Sequence, residues 1–354
     1  MTITIKYDIV NIEILKKGDK QDMISIKQLL EIKHCEEIFV NNIDETKKLY
    51  KQLAKIYHPD VNKDVEAEKA FRHLQELYAE AKRKLEKGIW EVKNLLTLET
   101  TLGKKISFKY LTEKKFELGM IYVGKKHILY KIEEKHKKYF DNAIKMINSI
   151  NYADNNMKNE FQKLIPNIVS TYQSKADNSY LMVIKKDENE FMLSSITNSI
   201  PEKLTDRHVA WIVSRLNNLN CFLSFNNIVL NGINVDNCFI NPETHSLSIY
   251  GGWWYARKEK DKMIGTTSEI FSVMPIKNKT EKIALHSTDM ESIRLLARQI
   301  LYNKNKTPKA FTDWLNSGST EHAFKEFENW NKTLDQAYGK RTFVKLYISS
   351  KDIY

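Results

Sequence analysis

Proline has no amide hydrogen and biases the residue before it away from helical backbone. In this chain that break falls at His58-Pro59-Asp60, between two stretches with strong helical periodicity. Before it, Leu49, Leu53 and Ile56 make one apolar stripe, which predicts a helix over 44–57 with Asp44 as its N-cap. After it, Ala67, Ala70, Phe71, Leu74, Leu77, Tyr78, Ala81 and Leu85 predict a longer helix from about Asp64 to Lys87, stopped by Gly88. Two amphipathic helices joined by so short a loop pack as an antiparallel hairpin. A short helix within 23–38 precedes them, carrying Ile26, Leu29, Leu30 and Ile32. The alternation of isoleucines across 2–15 predicts strand.

The chain has 354 residues, of which 42% are hydrophobic, enough to build real cores. Its three cysteines, Cys35, Cys221 and Cys238, are scattered. That excludes a disulfide framework or a zinc ribbon and leads us to expect a reducing, cytoplasmic location. No apolar run approaches the ~20 residues of a membrane helix, and the first residues do not read as a signal peptide. No membrane partner, metal or cofactor is therefore expected. The formal net charge is +11. Residues 1–100 are balanced, whereas 101–140 hold eleven lysines against four acidic residues. Such a stretch is either a solvated face or a surface for phosphates, nucleic acid or an acidic protein.

The helix before the break carries Lys47, Lys48, Lys51 and Lys55 on broadly one exposed face. Together with Tyr50 through Asp64 and with Phe71 through Leu85, this resembles the J domain of DnaJ-type co-chaperones over about residues 23–87. The family's usual Asp-Tyr-Tyr start of its first helix is missing. The resemblance implies docking to a DnaK-type Hsp70 chaperone and stimulation of its ATP hydrolysis. The four lysines would steer association, His58 and Asp60 would make the short-range contact, and Pro59 would fix the loop.

From about residue 101 the texture turns strand-like, at Ile106–Leu111, Phe116–Val123 and Ile128–Ile132. Helical stretches follow near 136–150 and 156–164, with strands at Tyr180–Ile184 and Glu190–Ile196. A long helix begins at Thr205, two short strands occupy Cys238–Ile240 and Leu247–Tyr250, and helix resumes at Thr288. The order is α+β. Residues 101–345 resemble the two-lobed protein-kinase fold. In that resemblance Lys131 takes the place of the phosphate-binding strand lysine, with Asp141 or Glu160 as its partner. Gly232 through Ile240 matches the catalytic loop, Leu247 through Gly252 the metal-binding segment, and Asp289 the structural aspartate.

Phosphoryl transfer needs a carboxylate to orient the acceptor and another to hold Mg²⁺. Those positions are Gly232 and Tyr250, and neither residue can do this. A glycine-rich phosphate loop is also missing. The expectation is a non-enzyme, a pseudokinase, with Lys131 and Asn237 as candidate nucleotide-site remnants. Trp253, Trp254 and Tyr255 either fill the nucleotide cleft, pack as ordinary core, or form a partner surface.

The expected organisation is an N-terminal segment at 1–22, a J-like domain at 23–88 and a connector at 89–100. A kinase-like N-lobe at 101–200 and a C-lobe at 201–354 follow. The expected function is Hsp70 recruitment, with the kinase-like region choosing an unknown client. A nucleotide-using kinase-like enzyme and nucleic-acid binding through the 101–140 lysines are the rivals.

Overall fold

A computed structural model describes residues 24–90, 94–339, 342 and 344–354. The strand expected across 2–15 lies outside these. The described residues form two compact units. One runs to Leu98 and includes Lys105–Tyr110; the other comprises Glu99–Lys104 and Leu111–Tyr354.

In the first unit, Ser25 and Gln28 form a capping box that starts helix α1, Ile26–Glu31. Helix α2 spans Ile43–Tyr57 and α3 spans Ala67–Glu86. The expected cap Asp44 lies inside α2. The cap is Asn42, whose carboxamide oxygen accepts from the amides of Asp44 and Glu45, both at 3.0 Å. Leu29, Leu49, Leu53, Leu74, Leu77 and Ala81 interlock in one apolar core with Phe39. At about 25 cal/mol per Å² of apolar surface, burial of these side chains is the main force holding the hairpin shut. Tyr50 stacks on Tyr78 with centroids 4.0 Å apart, tying α2 to α3. The Tyr57 hydroxyl donates to the Ile24 carbonyl and ties α2 to the start of the unit. Strands β1, Leu95–Glu99, and β2, Lys105–Lys109, pair as a ribbon.

The second unit opens with strands β3 (Thr112–Phe116), β4 (Gly119–Val123) and β5 (His127–Ile132). Helices α4 (Lys137–Asn148) and α5 (Asn155–Phe161) intervene before β6 (Asn167–Gln173) and β7 (Tyr180–Lys185). The five strands make one sheet in the order β3-β4-β5-β7-β6, with every pair antiparallel. Strands β3 and β6 are not evident from composition. Thr112–Phe116 is largely polar, and Asn167–Gln173 lies at the sheet edge.

The stretch expected as strand at Glu190–Ile196 is only a two-residue strand, β8 (Phe191–Met192), which runs straight into helix α6 (Leu193–Ser199). Helix α7, Asp206–Phe225, is capped at Thr205 and buried along most of its length. After β9 (Ile228–Val229), strands β10 (Cys238–Asn241) and β11 (Ser246–Ile249) form a hairpin that pairs with β8. Strand β12 (Arg257–Lys258) pairs with β9. Helices α8 (Ser268–Val273), α9 (Ile276–Glu281), α10 (His286–Ile300), α11 (Lys309–Asn316), α12 (Ala323–Tyr338) and α13 (Ser350–Ile353) complete the chain. A strand-rich lobe carrying α4 and α5 thus leads into a helical lobe, and a single apolar core runs through both. This is the mixed α+β, two-lobed arrangement that the kinase resemblance implied.

A fully buried ion pair of this unit joins Arg294 of α10 to Glu326 of α12 at 2.5 Å. Trp314 Nε1 and the Thr320 amide also donate to Glu326, so both oxygens of the buried carboxylate have a donor.

Candidate functional site

Helix α2 ends because His58 adopts extended backbone, with φ −61° and ψ 132°, as the residue before a proline must. The loop then closes on itself. The amides of Val61 and Asn62 both donate to the His58 carbonyl, at 2.9 and 2.8 Å. Asn62 Nδ2 reaches back to the Ile56 carbonyl at 3.2 Å, satisfying an acceptor left open at the helix end. The Asp60 amide donates to His58 Nδ1 at 3.2 Å, and the Asp60 carboxylate lies 3.5 Å from the same nitrogen. The imidazole packs edge-on against Phe71 of α3, centroids 5.0 Å apart. The loop is therefore fixed from within, while its two polar tips stay outside: the His58 side chain is 42% exposed and that of Asp60 86%.

Lys47, Lys48, Lys51 and Lys55 are all exposed on α2. At 100° per residue they fall within an arc of about 100°. Among the described residues none of them is paired with a carboxylate. The cations of α3 differ: Lys69, Arg72 and Lys82 are each paired with a glutamate three or four residues away. The first unit thus has one helix with a bare positive face and one that is locally neutralised. Cys35, Glu36 and Glu80 lie close enough to suggest a metal site. Lys84 occupies that position instead, 2.5 Å from Glu36 and 2.6 Å from Glu80. Burial, reinforced by Glu36 and Glu80, pushes the Cys35 thiol up to about 12, which keeps it protonated.

Residues 39–85 match the family model described as the DnaJ domain. These residues are a J domain. Over 35 residues it is 57% identical to the chaperone protein DnaJ of Mycoplasma mobile, covering 10% of this chain and 9% of that protein. Over 36 residues it is 56% identical to chaperone protein DnaJ 2 of Thermus thermophilus, covering 10% and 13%. The chain thus spans about a tenth of the length of the curated relatives it matches. The solved structure of vaccinia related kinase 3 is similar over 70% of this chain and 93% of its own, at 13% identity and a TM-score of 0.46.

In the kinase-like unit the expected site residues do not converge. Successive residues of a strand point to opposite faces. Ile128, Tyr130 and Ile132 belong to the core, so Lys131 faces the other way. The expected partners of Lys131 are not the observed one. Its Nζ lies 2.5 Å from Asp177, in the turn between β6 and β7, while Asp141 pairs with Lys137. Although burial works against the charged form, Lys131, Ser179 and Ser174 hold the Asp177 carboxyl well below the usual range. A pairing of Lys131 with Asn237 in one nucleotide site is therefore not what the structure contains. The inward residue just before Lys131 is Tyr130, whose buried hydroxyl has no hydrogen-bond partner among the described residues.

Asn237 does sit in the loop. Its Nδ2 donates to the Gly232 carbonyl at 2.8 Å, and its own amide bonds to Asn234 Oδ1 at 3.0 Å. Gly232 and Gly252 press backbone on backbone: a Cβ at 232 would lie 2.6 Å from Gly252 Cα. Gly252 has φ +81°, a left-handed conformation that favours glycine. Tyr250 turns its hydroxyl to Glu190, at 2.6 Å, where Ser248 also donates at 2.6 Å. Burial raises the Glu190 carboxyl above its ordinary range despite these bonds. Asp289 accepts from the amides of Leu230 and Asn231, at 2.7 and 2.8 Å, and so fixes the loop to α10.

Trp253, Trp254 and Tyr255 are 1–3% exposed, which corrects their candidacy as a partner surface. Trp254 fills the space between Phe116 and Tyr130, with each ring 5.0 Å away. The Tyr255 hydroxyl donates to Glu117, in the β3–β4 turn, at 2.7 Å, and Lys114 of β3 pairs with Asp236. The β3–β4 hairpin is thus fastened to the loops beneath it. Sequence reasoning missed Glu117, Tyr130, Asp177 and Glu190. The apolar parity of Ile128, Tyr130 and Ile132 was the one available signal.

The 101–140 lysines are largely engaged locally. Lys109, Lys114, Lys125, Lys126, Lys131, Lys135 and Lys137 each have a carboxylate within 4 Å. Among the described residues no helix is long and apolar enough to cross a membrane.

Proposed function

We propose that this chain is a co-chaperone that recruits a DnaK-type Hsp70 through its J domain and stimulates that partner's ATP hydrolysis. The observation that carries the reading is the His58-Pro59-Asp60 loop. It is rigid through its own hydrogen bonds and Phe71, yet it offers an imidazole and a carboxylate to solvent beside four lysines that have no carboxylate partner among the described residues. An acidic chaperone surface is steered by such a helix face, giving fast, salt-sensitive and weak association. The short-range polar contact then decides specificity.

The kinase-like unit is, in this reading, a non-catalytic binding module that selects the client. Gly232 has no carboxylate, Tyr250 is committed to Glu190, and Trp254 fills the space between Phe116 and Tyr130. Neutralisation of most 101–140 lysines also weighs against nucleic acid as the partner.

Immobilised chain should capture an Hsp70 loaded with ATP, and His58→Gln should release it while leaving the melting temperature unchanged. Equal capture by the two proteins would overturn the reading.

A further inference from the structure

The kinase-like unit has a concavity of about 1180 Å³. It runs between the end of α4, the loop after α5, the turn after β7, helix α7 and the β10–β11 turn. Its volume exceeds the roughly 300–1,000 Å³ typical of small-molecule sites, so an extended polymer fits it better than a metabolite. Ile147, Ile150, Leu164, Pro166 and Leu247 give it an apolar lining.

Charge sets the preferred occupant. Lys163, Lys185 and Arg215 line the groove, are exposed, and among the described residues have no carboxylate partner. Arg215 spends only its Nε, on the His245 carbonyl at 2.9 Å. Half of the acidic lining is already engaged. Glu190 is buried and accepts from Ser248 and Tyr250, and Glu188 lies 3.8 Å from Lys125 and Lys126. Glu160 and Asp187 are exposed and have no cation partner among the described residues, so three free cations face two free carboxylates and the balance of free charge is positive.

We infer that this groove is the client-selecting surface of the kinase-like unit, and that it takes an extended peptide segment alternating acidic and apolar side chains. The inference rests on the binding-module reading and gives it an address. Apolar side chains occupy the lining and the carboxylates meet Lys163, Lys185 and Arg215. A nucleic-acid strand would satisfy the cations but leave the apolar lining unfilled.

The test uses full-length chain and fluorescein-labelled peptides that share one Leu/Phe spacing, filled in with either Asp/Glu or Lys/Arg, beside a poly-dT oligonucleotide. Fluorescence anisotropy should show binding of the acidic peptide alone, weakening with salt. Lys163→Glu/Lys185→Glu should weaken it about tenfold or more, equivalent to about 1.4 kcal/mol. Glu160→Lys should tighten it, and His58→Gln should leave it unchanged. Equal binding of the two peptides, preference for the oligonucleotide, or indifference to the charge reversals would each overturn the inference. Hsp70 capture by Lys163→Glu/Lys185→Glu is measured in parallel. If capture persists without selective peptide binding, the groove assignment fails alone; if peptide binding persists without capture, the co-chaperone reading fails alone.

Discussion

The loop at 58–64 and the loop at 230–237 are built with similar economy and arranged in opposite senses. The first follows helix α2 and the second strand β9; each is held by side chains bonding to backbone, and each is braced by a residue from a neighbouring element. In the J domain the brace is Phe71, and the polar tips of His58 and Asp60 remain in solvent. In the kinase-like unit the brace is Asp289, and Asn237 turns inward to its own loop while the neighbouring Tyr250 turns to Glu190. A polar group already satisfied inside the fold has little left to offer a partner, whereas one held rigid but exposed is available for binding. The first loop is fit for recognition and the second for holding two lobes together.

That contrast can be broken by substitution, and the largest effect belongs to the inward-facing region. Trp254→Ala removes a side chain packed against Phe116 and Tyr130 and should cost about 3–5 kcal/mol in denaturant unfolding. A cost below about 1 kcal/mol would mean that the ring is not part of the core. Gly232→Asp, the change that would restore the missing carboxylate, should instead destabilise by about 1–3 kcal/mol, because its Cβ meets Gly252. A stable variant that gains Mg·ATP-dependent phosphoryl transfer would contradict the closed geometry.

A third effect is a pH dependence. Burial raises the Asp289 carboxyl from 3.8 to about 7 against the pull of its two amide donors. The folded state then holds its proton more tightly than the unfolded state does. Its contribution is fully present below about pH 4 and is lost as pH rises through about 7. Asp289→Asn should flatten that part of the stability profile; an unchanged profile would place the titration elsewhere. Smallest in stability is Lys51→Glu on α2, which should alter unfolding by less than about 0.5 kcal/mol. Its effect should appear in the salt-dependent rate of Hsp70 association.

The J domain was largely legible because its information is local. Helical periodicity gives two stripes, and a proline fixes the break. The start of α2 was displaced only because Asn42 caps two amides ahead of the expected Asp44. The kinase-like order of elements was legible too, as was the bracing role of Asp289. Lys131 was not, because a motif counted along a strand carries no parity check. One residue of slip exchanges the two faces of a sheet. Asp177 lies 46 positions from Lys131 and no periodicity links them. Trp253, Trp254 and Tyr255 were equally compatible with core and surface, since aromatic residues dominate both kinds of contact.

The central claim is most directly tested by single-turnover ATP hydrolysis on a DnaK-type Hsp70, titrated with wild-type chain and with His58→Gln at low and high salt. Saturable acceleration by the wild type, weakened by salt and absent in the variant, is the predicted result. Equal acceleration by both proteins, or none by either, would contradict it.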